Sequence, residues 1–568
     1  MASIVTSIKG GSFLIEERAA GEVFTPEDFS AEHRDIARTA AQFFLGEVAP
    51  NIDAIQHQEP GVAVAALRKS AALGLTSMAI PEEYGGLELD IISAMVVAEQ
   101  LAGDGSYAAW HGAHTGIGTL PLVYYGTPAQ KAKYLPKLAT AELVAAYALT
   151  EPHAGSDALA ARTRADLSAD GTHYILSGQK MWITNGGAAD LFTVFAKIGG
   201  DQFTAFLVER AFGGVTSGAE EKKMGIKGSS TTAVYFDNVP VPVENVLGEV
   251  GRGHIIAFNI LNIGRLKLGA FALGGAKQVL ADSLRYAKER KAFGHAIADF
   301  GAIRHKLAEM AVRLYATESM VWRTVGLIAP EESLKTIEEY AVECSIVKVH
   351  ASEMLDYVVD EGVQIHGGYG YHQDYAVERA YRDSRINRIF EGTNEINRLL
   401  IPGMLFKRAS RGQLALVTAA QKVLGEILGA PPAGENADEE MRLVRNARKI
   451  TLLAMGLAYQ KYLMELDKQQ EVLMGIADMV MEVFAMESAL LRSRKTGTGA
   501  DLCAVLLRDG MARVEVAART VLAACSDGDA LRTNMAVLRR FAKYEPVDAI
   551  ALRRRIADRL LAAGRYCC

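Results

Sequence analysis

Two long stretches of the chain carry apolar residues at helical spacing. Between residues 30 and 145, EHRDIARTAAQFFLGEVAPNI repeats an apolar residue every three or four positions, and we expect this helix to stop at Pro50. Between residues 252 and 406, LGGAKQVLADSLRYAKERKAF and IRHKLAEMAVRLYATESMVWRTVGLI predict longer helices. Helices of that length pack well as a four-helix bundle.

The pattern changes between residues 146 and 248. The segments THYILSGQKMWITNG, LFTVFAKI, FTAFLVER and TTAVYFDNVPVP are short, rich in aromatic and β-branched residues, and separated by Gly, Asn and Asp turns. This composition is typical of antiparallel strands. Their spacing predicts a small barrel or sandwich.

The segment GAPPAGENADEE, Gly429 to Glu440, interrupts the helical pattern, which then resumes to the end of the chain. We therefore predict a mainly α fold with a central β domain and an additional helical domain at the C-terminus. The expected boundaries are an N-terminal extension 1–29, a helical domain 30–145, a β domain 146–248, a helical bundle 249–406, a linker 407–440 and an extra helical domain 441–568.

Composition excludes several classes of protein. The 568 residues are 50% hydrophobic and 23% charged, as in an ordinary globular protein. A net charge of -6 gives no reason to expect nucleic acid as a partner. The five cysteines form no CxxC pair, so we predict neither a metal site nor a disulfide framework. The N-terminus has no apolar signal region and carries Glu16 and Glu17 early, which predicts a cytoplasmic location if the protein is bacterial.

The common catalytic motifs are absent. The chain has no Walker A loop, no GxGxxG after a strand, no HExxH and no GxSxG. A P-loop enzyme, a Rossmann nicotinamide enzyme, a zinc protease and a serine esterase are therefore poorly supported.

Two polar motifs lie in or beside the predicted strands. YALTEPHAGSD, Tyr147 to Asp157, offers hydroxyls and loop amides that suit a polar heterocycle or a phosphate. In KMWITNG, Trp182 and Thr184 fall on one face of a strand, where the indole suits a flat ring and the hydroxyl a ring nitrogen. A plain polar loop and a hydrophobic sandwich face explain these motifs equally well.

Two further motifs end predicted helices. RKAFG contains Arg290, whose planar fork suits a pyrophosphate. QIHGGYGY contains Gly367 and Gly368, which allow close approach of a phosphate or another backbone. A solvated arginine and a simple helix-ending turn are the competing interpretations.

The octapeptide RIFEGTNE contains one carboxylate, Glu391, preceded by Arg382, Arg385 and Arg388. Considered alone, it would most simply be part of a structural ion pair.

Taken together, the five motifs resemble those of the acyl-CoA dehydrogenase family, in order and in spacing, over about residues 30 to 406. The succession of helices, β domain and helices is also that of the family. The tail beyond residue 406, and the segments AFGGVTSG and EKKMGIKGSSTTAVYFDNVPVPVENVLGEVG, are similar to the very-long-chain branch, whose members carry an extra helical domain.

The resemblance implies an enzyme of fatty-acid β-oxidation that converts acyl-CoA to trans-2-enoyl-CoA with FAD. Glu391 is then the base that removes the α proton, and its N–H donates to the thioester oxygen. Some members carry the base just before an arginine of an earlier helix, but here that position is Gly264, before Arg265. The implied substrate-binding residues are Ser156, Arg265 and Gly392.

The resemblance also implies the residues that contact FAD. In the same subunit they are Tyr147, Leu149, Thr150, Ser156, Trp182, Thr184, Thr393 and Glu395. From a neighbouring subunit they are Arg290, Phe293, Gln364, Gly367 and Gly368. Thr393 also has the character of a helix N-cap. Gly301 and Arg304 stand where glutamines are common in the family, which puts the adenine-side contacts in doubt.

The helix YAAWHGAHTGIGTLP should border the acyl chain. It offers the small residues Ala109, Gly112, Ala113 and Gly116. Each buried CH₂ contributes ~0.8 kcal/mol, so a deep apolar tunnel favours long chains, roughly C14 and above.

The partners implied are acyl-CoA, an electron-transfer flavoprotein as electron acceptor and a second copy of the chain in a homodimer. The cations of MRLVRNARKITLLAMGLAYQKYLMEL allow peripheral membrane contact, although a core helix is the favoured interpretation. The alternatives are an acyl-CoA oxidase that uses molecular oxygen and a non-catalytic assembly or nucleic-acid-binding paralogue.

Overall fold

The computed structural model describes residues 8–428 and 438–568, and most of the predicted break GAPPAGENADEE lies outside these residues. The order predicted from the sequence is confirmed: helices, a central sheet, long helices and a further helical region. The first helices are α1 Ala31–Phe43, α2 Ile52–Gln56, α3 Val62–Ala72, α4 Ile91–Gln100, α5 Gly105–Gly112, α6 Leu120–Tyr125 and α7 Pro128–Ala139.

The helical path does not stop at Pro50, so that prediction is wrong. After α1 the chain continues through a π-helical turn, Phe44–Val48, and a 3₁₀ turn, Ala49–Asn51, into α2. Pro50 stands in the first turn of that 3₁₀ segment, where the missing N–H leaves no hydrogen bond unmade.

The strands are β1 Ala145–Ala148, β2 Arg164–Leu167, β3 His173–Thr184, β4 Leu191–Ile198, β5 Gln202–Glu209, β6 Val215–Glu220, β7 Thr231–Pro242 and β8 Val246–Leu247. They form one sheet in the order β6-β7-β3-β2-β4-β5-β8, with β1 parallel to β4. Apolar residues such as Phe192, Phe206 and Val234 form its own core. A register shift between Lys180 and Ile183 places Met181 and Trp182 in a bulge of β3.

The helices after the sheet are α8 Gly253–Glu289, α9 Gly301–Ile328, α10 Leu334–Glu339, α11 Ala341–His366, α12 Ala376–Ser384, α13 Asn394–Ser410 and α14 Leu416–Leu428. A short hairpin of β9 Lys291–Ala292 and β10 His295–Ala296 follows α8. By length and hydropathy α8 could cross a membrane, but 72% of its apolar window is buried among the other elements, as in the core helix of a bundle.

The additional helices are α15 Glu439–Tyr462, α16 Gln470–Thr496, α17 Ala500–Cys525, α18 Gly528–Phe541 and α19 Ala549–Ala563. They are joined to the bundle by buried ion pairs. Arg492 of α16 binds Glu318 of α9 at 2.6 Å, and Arg323 of α9 binds Glu487 of α16 at 2.9 Å.

The basic side chains of α15 are paired within the chain. Arg445 binds Glu17 at 2.6 Å, Arg448 binds Glu487 at 2.6 Å, and Lys449 binds Glu426 at 2.9 Å. These contacts fit the core-helix interpretation of this segment.

Candidate functional site

Glu391 lies in a tight loop, residues 389–393, between a 3₁₀ turn at Arg385–Arg388 and the start of α13. We call it the Glu391 loop. Glu391 and Gly392 both have positive φ, +59° and +80°. A non-glycine residue rarely adopts this conformation, and such strain concentrates at functional sites.

Hydrogen bonds from three side chains fix the backbone of the Glu391 loop and its junction with α13. Thr393 caps α13, because its Oγ1 accepts from the Ile396 N–H at 3.2 Å, as the sequence predicted. The Asn397 side-chain amide donates to the carbonyl of Gly392 at 2.8 Å. Arg265 Nε of α8 donates to the Glu391 carbonyl at 3.1 Å.

The Glu391 carboxyl is enclosed and lines the main cavity. Its Oε2 is buried and has no hydrogen-bond partner among the described residues. Burial raises the pKa of this carboxyl to about 7, against the opposing charges of Arg265 and Lys348. A carboxylate with its pKa near neutrality and a free oxygen is suited to accept a proton.

Lys348 of α11 is a neighbour that the motifs did not indicate. Its Nζ is fully buried and donates to Asn394 Oδ1 at 2.7 Å, directly after the Glu391 loop. Burial lowers the pKa of Lys348 to about 7, although the Glu391 charge acts in the opposite direction. A lysine inside the apolar run CSIVKVHA was the available sequence signal.

The main cavity has a volume of about 180 Å³ and is bounded by α5, α8, α12 and the Glu391 loop. It extends along one face of α8, from Gly264 beside Glu391 to Asp282 at the other end. That span corresponds to about 27 Å of helix axis at 1.5 Å per residue. The four small residues expected to border an acyl chain all line it: Ala109, Gly112, Ala113 and Gly116.

The two motifs of the β domain lie together near this cavity. The Thr150 carbonyl accepts from the Met181 N–H at 2.9 Å, and Lys180 Nζ donates to the Leu149 carbonyl at 3.1 Å. Thr184 lines the main cavity with Glu391. Trp182 has a φ of +57°, and 59% of it is exposed. An open indole can cover one face of a planar ring system.

Tyr147, in β1, and Ser156, in the loop that follows this strand, differ in exposure. Tyr147 is buried, and its hydroxyl donates to the Ala257 carbonyl at 3.4 Å. Burial, and then the charge of Glu391, raise the pKa of this hydroxyl, which places it within electrostatic range of the Glu391 carboxylate. Ser156 is exposed at the surface.

The residues expected to reach a neighbouring subunit form a separate surface. The Arg290 guanidinium lies over the Tyr369 ring at 5.5 Å, which joins RKAFG to QIHGGYGY. Phe293 is 92% exposed, and Gln364, Gly367 and Gly368 are also exposed. Among the described residues, none of these side chains forms a hydrogen bond, an ion pair or a ring contact with Glu391.

The remaining predicted residues have other surroundings. Arg265 is buried and also donates to Asn262 Oδ1 at 2.9 Å, so its hydrogen bonds support α8 and the Glu391 loop. Glu395 is exposed in the first turn of α13. Arg304 binds Asp558 of α19 at 2.9 Å, so this side chain helps to dock the additional helices.

Family profiles match most of the chain. Those described as acyl-CoA dehydrogenase N-terminal, middle and C-terminal domains match residues 30–142, 146–239 and 251–404. A further profile, also described as an acyl-CoA dehydrogenase C-terminal domain, matches residues 446–540.

Individual relatives cover the same range. A probable acyl-CoA dehydrogenase of Bacillus subtilis is 48% identical and covers 98% of each chain. The mitochondrial very long-chain specific enzyme of Rattus norvegicus is 45% identical over 58% of this chain and 51% of its own length. The crystal structure of an acyl-CoA dehydrogenase from Bacillus anthracis, complexed with FAD, has a TM-score of 0.97 and 48% identity, covering 99% of this chain and 100% of that one.

Profiles, whole-length relatives and fold agree with the motifs identified in the sequence, and the chain belongs to the acyl-CoA dehydrogenase family.

Proposed function

We propose that this protein oxidises long-chain acyl-CoA to trans-2-enoyl-CoA in fatty-acid β-oxidation, with Glu391 as the base that removes the α proton. The proposal is carried by the surroundings of the Glu391 carboxyl. It lines the main cavity, its Oε2 has no hydrogen-bond partner among the described residues, and its pKa is raised to about 7.

The α C–H beside a thioester is a weak acid. A desolvated carboxylate with a pKa near working pH is therefore a better base than an ordinary surface glutamate. Glu391 Oε2 takes the α proton, and Arg265 and Lys348 limit how far burial raises the pKa of this carboxyl. The Glu391 N–H makes no hydrogen bond within residues 8–428 and 438–568, so it is free to donate to the thioester oxygen.

The cofactor is FAD, which when bound accepts the hydride from the β carbon. The residues fit this group: Trp182 presents an open indole, Thr184 borders the cavity, and the loop from Tyr147 lies against β3. The exposed surface of Arg290 and Gly367 would hold the distant part of the cofactor from a second subunit. This supports a homodimer.

A long acyl chain is supported by the small residues that line the main cavity and by its extent along α8. The rat relative is named as specific for very long chains. We further propose an electron-transfer flavoprotein as acceptor. A chain from a structure of the electron transferring flavoprotein of Acidaminococcus fermentans is 35% identical to this one, with a TM-score of 0.63, and covers 66% of this chain and 98% of that chain.

The decisive experiment is anaerobic addition of palmitoyl-CoA to the purified protein with FAD bound, followed by the flavin absorbance. We expect rapid bleaching in the natural protein and none in Glu391→Gln, with FAD still bound to both. Bleaching that survives in Glu391→Gln would exclude Glu391 as the base. Absence of bleaching with acyl-CoA of any length would favour the non-catalytic paralogue.

One control separates the dehydrogenase from the oxidase. Reduced protein is exposed to oxygen without an electron-transfer flavoprotein, and peroxide is measured. Fast, stoichiometric peroxide production would favour the oxidase, because a dehydrogenase requires its protein acceptor for fast reoxidation.

A further inference from the structure

A lysine lies in the wall of the main cavity close to the proposed site of reaction. Lys267 belongs to α8, three residues after Gly264, and is 8% exposed. Other residues of α8 that line the cavity nearby are apolar, among them Ile263, Leu268 and Phe271. An ammonium group in such a wall is costly unless an anion accompanies it.

Lys267 has one hydrogen bond and no ion pair in the described part of the chain. Its Nζ donates to Thr115 Oγ1 at 2.6 Å. An ammonium has three donors, so further capacity remains. Gly116 provides the space, because a Cβ there would lie 3.5 Å from this Nζ. Burial alone lowers the pKa of Lys267 to about 7.

Other lysines that extend into the protein are accompanied by carboxylates. Lys180 is fully buried and binds Glu151 at 2.7 Å, and Lys277, whose side chain is 29% exposed, binds Glu99 at 2.6 Å. Burial lowers the pKa of Lys348, and the negative charge of Glu391 acts to raise it. Lys267 differs, because its Nζ contacts Thr115 Oγ1 and pairs with no carboxylate among the described residues. A carboxylate of a bound ligand can therefore serve as its counter-anion.

A second polar feature lies behind Lys267. A cavity of about 20 Å³ is lined by His111, Thr115, Thr119 and Lys267, and is large enough for one water molecule. His111 Nε2 bonds to the Leu75 carbonyl at 3.0 Å, and its buried Nδ1 has no partner among the described residues. Burial lowers the pKa of His111 well below its usual value, so this imidazole is neutral and does not supply the missing anion.

We propose that Lys267 binds a carboxylate carried on the acyl chain, so that CoA thioesters of dicarboxylic acids are substrates alongside plain acyl-CoA. The inference rests on the proposed dehydrogenation and names an additional substrate class for the same site. Plain chains are still accepted, because a lysine with a lowered pKa can lose its proton and pass as a neutral amine.

The position of Lys267 limits the length of the dicarboxylic chain. Three helical residues correspond to about 4.5 Å of axis, and helical side chains lean toward the N-terminus. The ammonium therefore lies beside the first few carbons beyond the reacting pair. Adipoyl-CoA and suberoyl-CoA are suitable probes, with hexanoyl-CoA and octanoyl-CoA as plain chains of equal length.

The experiment measures kcat/KM for adipoyl-CoA and for hexanoyl-CoA and takes the ratio of the two values. This ratio is compared between the natural holoenzyme, Lys267→Met and Lys267→Gln. We expect Lys267→Met to lower the ratio about 10- to 100-fold, the usual range for losing a charge-assisted hydrogen bond. Lys267→Gln retains a donor without the charge and should lower the ratio nearly as far. FAD content verifies folding. Leu268→Met, on the same wall, should change both substrates alike and preserve the ratio.

Two outcomes would overturn the proposal. One is a natural holoenzyme that oxidises hexanoyl-CoA but not adipoyl-CoA or suberoyl-CoA; the dehydrogenation would then stand without this substrate class. The other is a ratio unchanged by Lys267→Met, which would make the lysine part of a structural water site.

Binding to Glu391→Gln holoenzyme, followed by flavin absorbance, tests Lys267 independently of turnover. Adipoyl-CoA should bind more weakly when Lys267→Met is added, whereas hexanoyl-CoA should not. Equal losses for the two ligands would contradict the proposal even if no substrate were turned over.

Discussion

The carboxylate of Glu391 lies directly against Gly264 of α8: a Cβ built at position 264 would be 2.6 Å from Glu391 Oε2. The two residues are distant in sequence. The Glu391 carboxylate occupies the space that Gly264 leaves open because it has no side chain. A carboxylate at position 264 and one at position 391 would therefore compete for the same place at the start of the main cavity.

Replacing Gly264 by alanine should displace the Glu391 carboxyl. A contact of 2.6 Å cannot be accommodated unless the carboxyl moves, and misplacing a reacting group by about 1 Å can cost about 100-fold in rate. We expect Gly264→Ala to lower the rate of flavin reduction at least tenfold, with FAD retained. Gly403→Ala in α13 is the control, because a Cβ at this exposed helical position would have no heavy atom within 4 Å. Equal effects of the two changes would contradict this account.

The rate of proton removal should rise with pH through about 7. The raised pKa means that Glu391 is protonated, and inactive as a base, below this value. A plot of log kcat/KM for a plain acyl-CoA should therefore have an acidic limb with a slope near one. A limb near pH 4.5 would indicate an ordinary solvated carboxyl.

The same carboxyl should destabilise the fold at high pH. Its pKa is higher in the folded protein than the value of 4.5 expected when unfolded, so the folded state binds the additional proton. Stability is then lost as the pH rises from about 4.5 to about 7. We expect Glu391→Gln to raise the Tm at pH 8 and to leave it nearly unchanged at pH 4.5, as measured by calorimetry of the holoenzyme.

Lys348 should lower the pKa of Glu391 without contacting substrate. Its positive charge lowers the pKa of Glu391, and its Nζ holds Asn394 at 2.7 Å. Lys348→Met should move the acidic limb of the pH profile upward by about one unit. Lys306→Met is the control, since Lys306 pairs with Glu361 elsewhere in the bundle. A lower rate with an unshifted limb would mean that Lys348 is only structural.

Arg492 should stabilise the packing of the additional helices against the bundle. It is 2% exposed and binds Glu318 at 2.6 Å and Glu27 at 2.7 Å. Breaking a buried pair typically costs about 3–5 kcal/mol, so Arg492→Met should lower the Tm and speed proteolysis after residue 410. Arg532→Met removes an exposed pair with Asp529 and should change neither. Indistinguishable melting of the two variants would refute this role.

Much of the local structure could be predicted from the sequence. LFTVFAKI and TTAVYFDNVPVP coincide with β4 and β7, because β-branched and aromatic residues bounded by turn residues are local signals. Thr393 was identified as a cap because an N-cap requires only neighbouring backbone groups. Pro50 does not end the helical path, because proline is tolerated in the first turn of a helical segment.

The sequence by itself determined the family, the order of helices and strands, and the residue type available as a base. Tertiary structure alone decided that Glu391 is enclosed with a raised pKa, that it lies against Gly264, and that Lys267 lines the main cavity without an ion pair among the described residues. The reason is physical. Motifs and periodicity record contacts within a few residues, whereas burial and charge depend on elements that folding brings together, here α5, α8, α11 and the Glu391 loop.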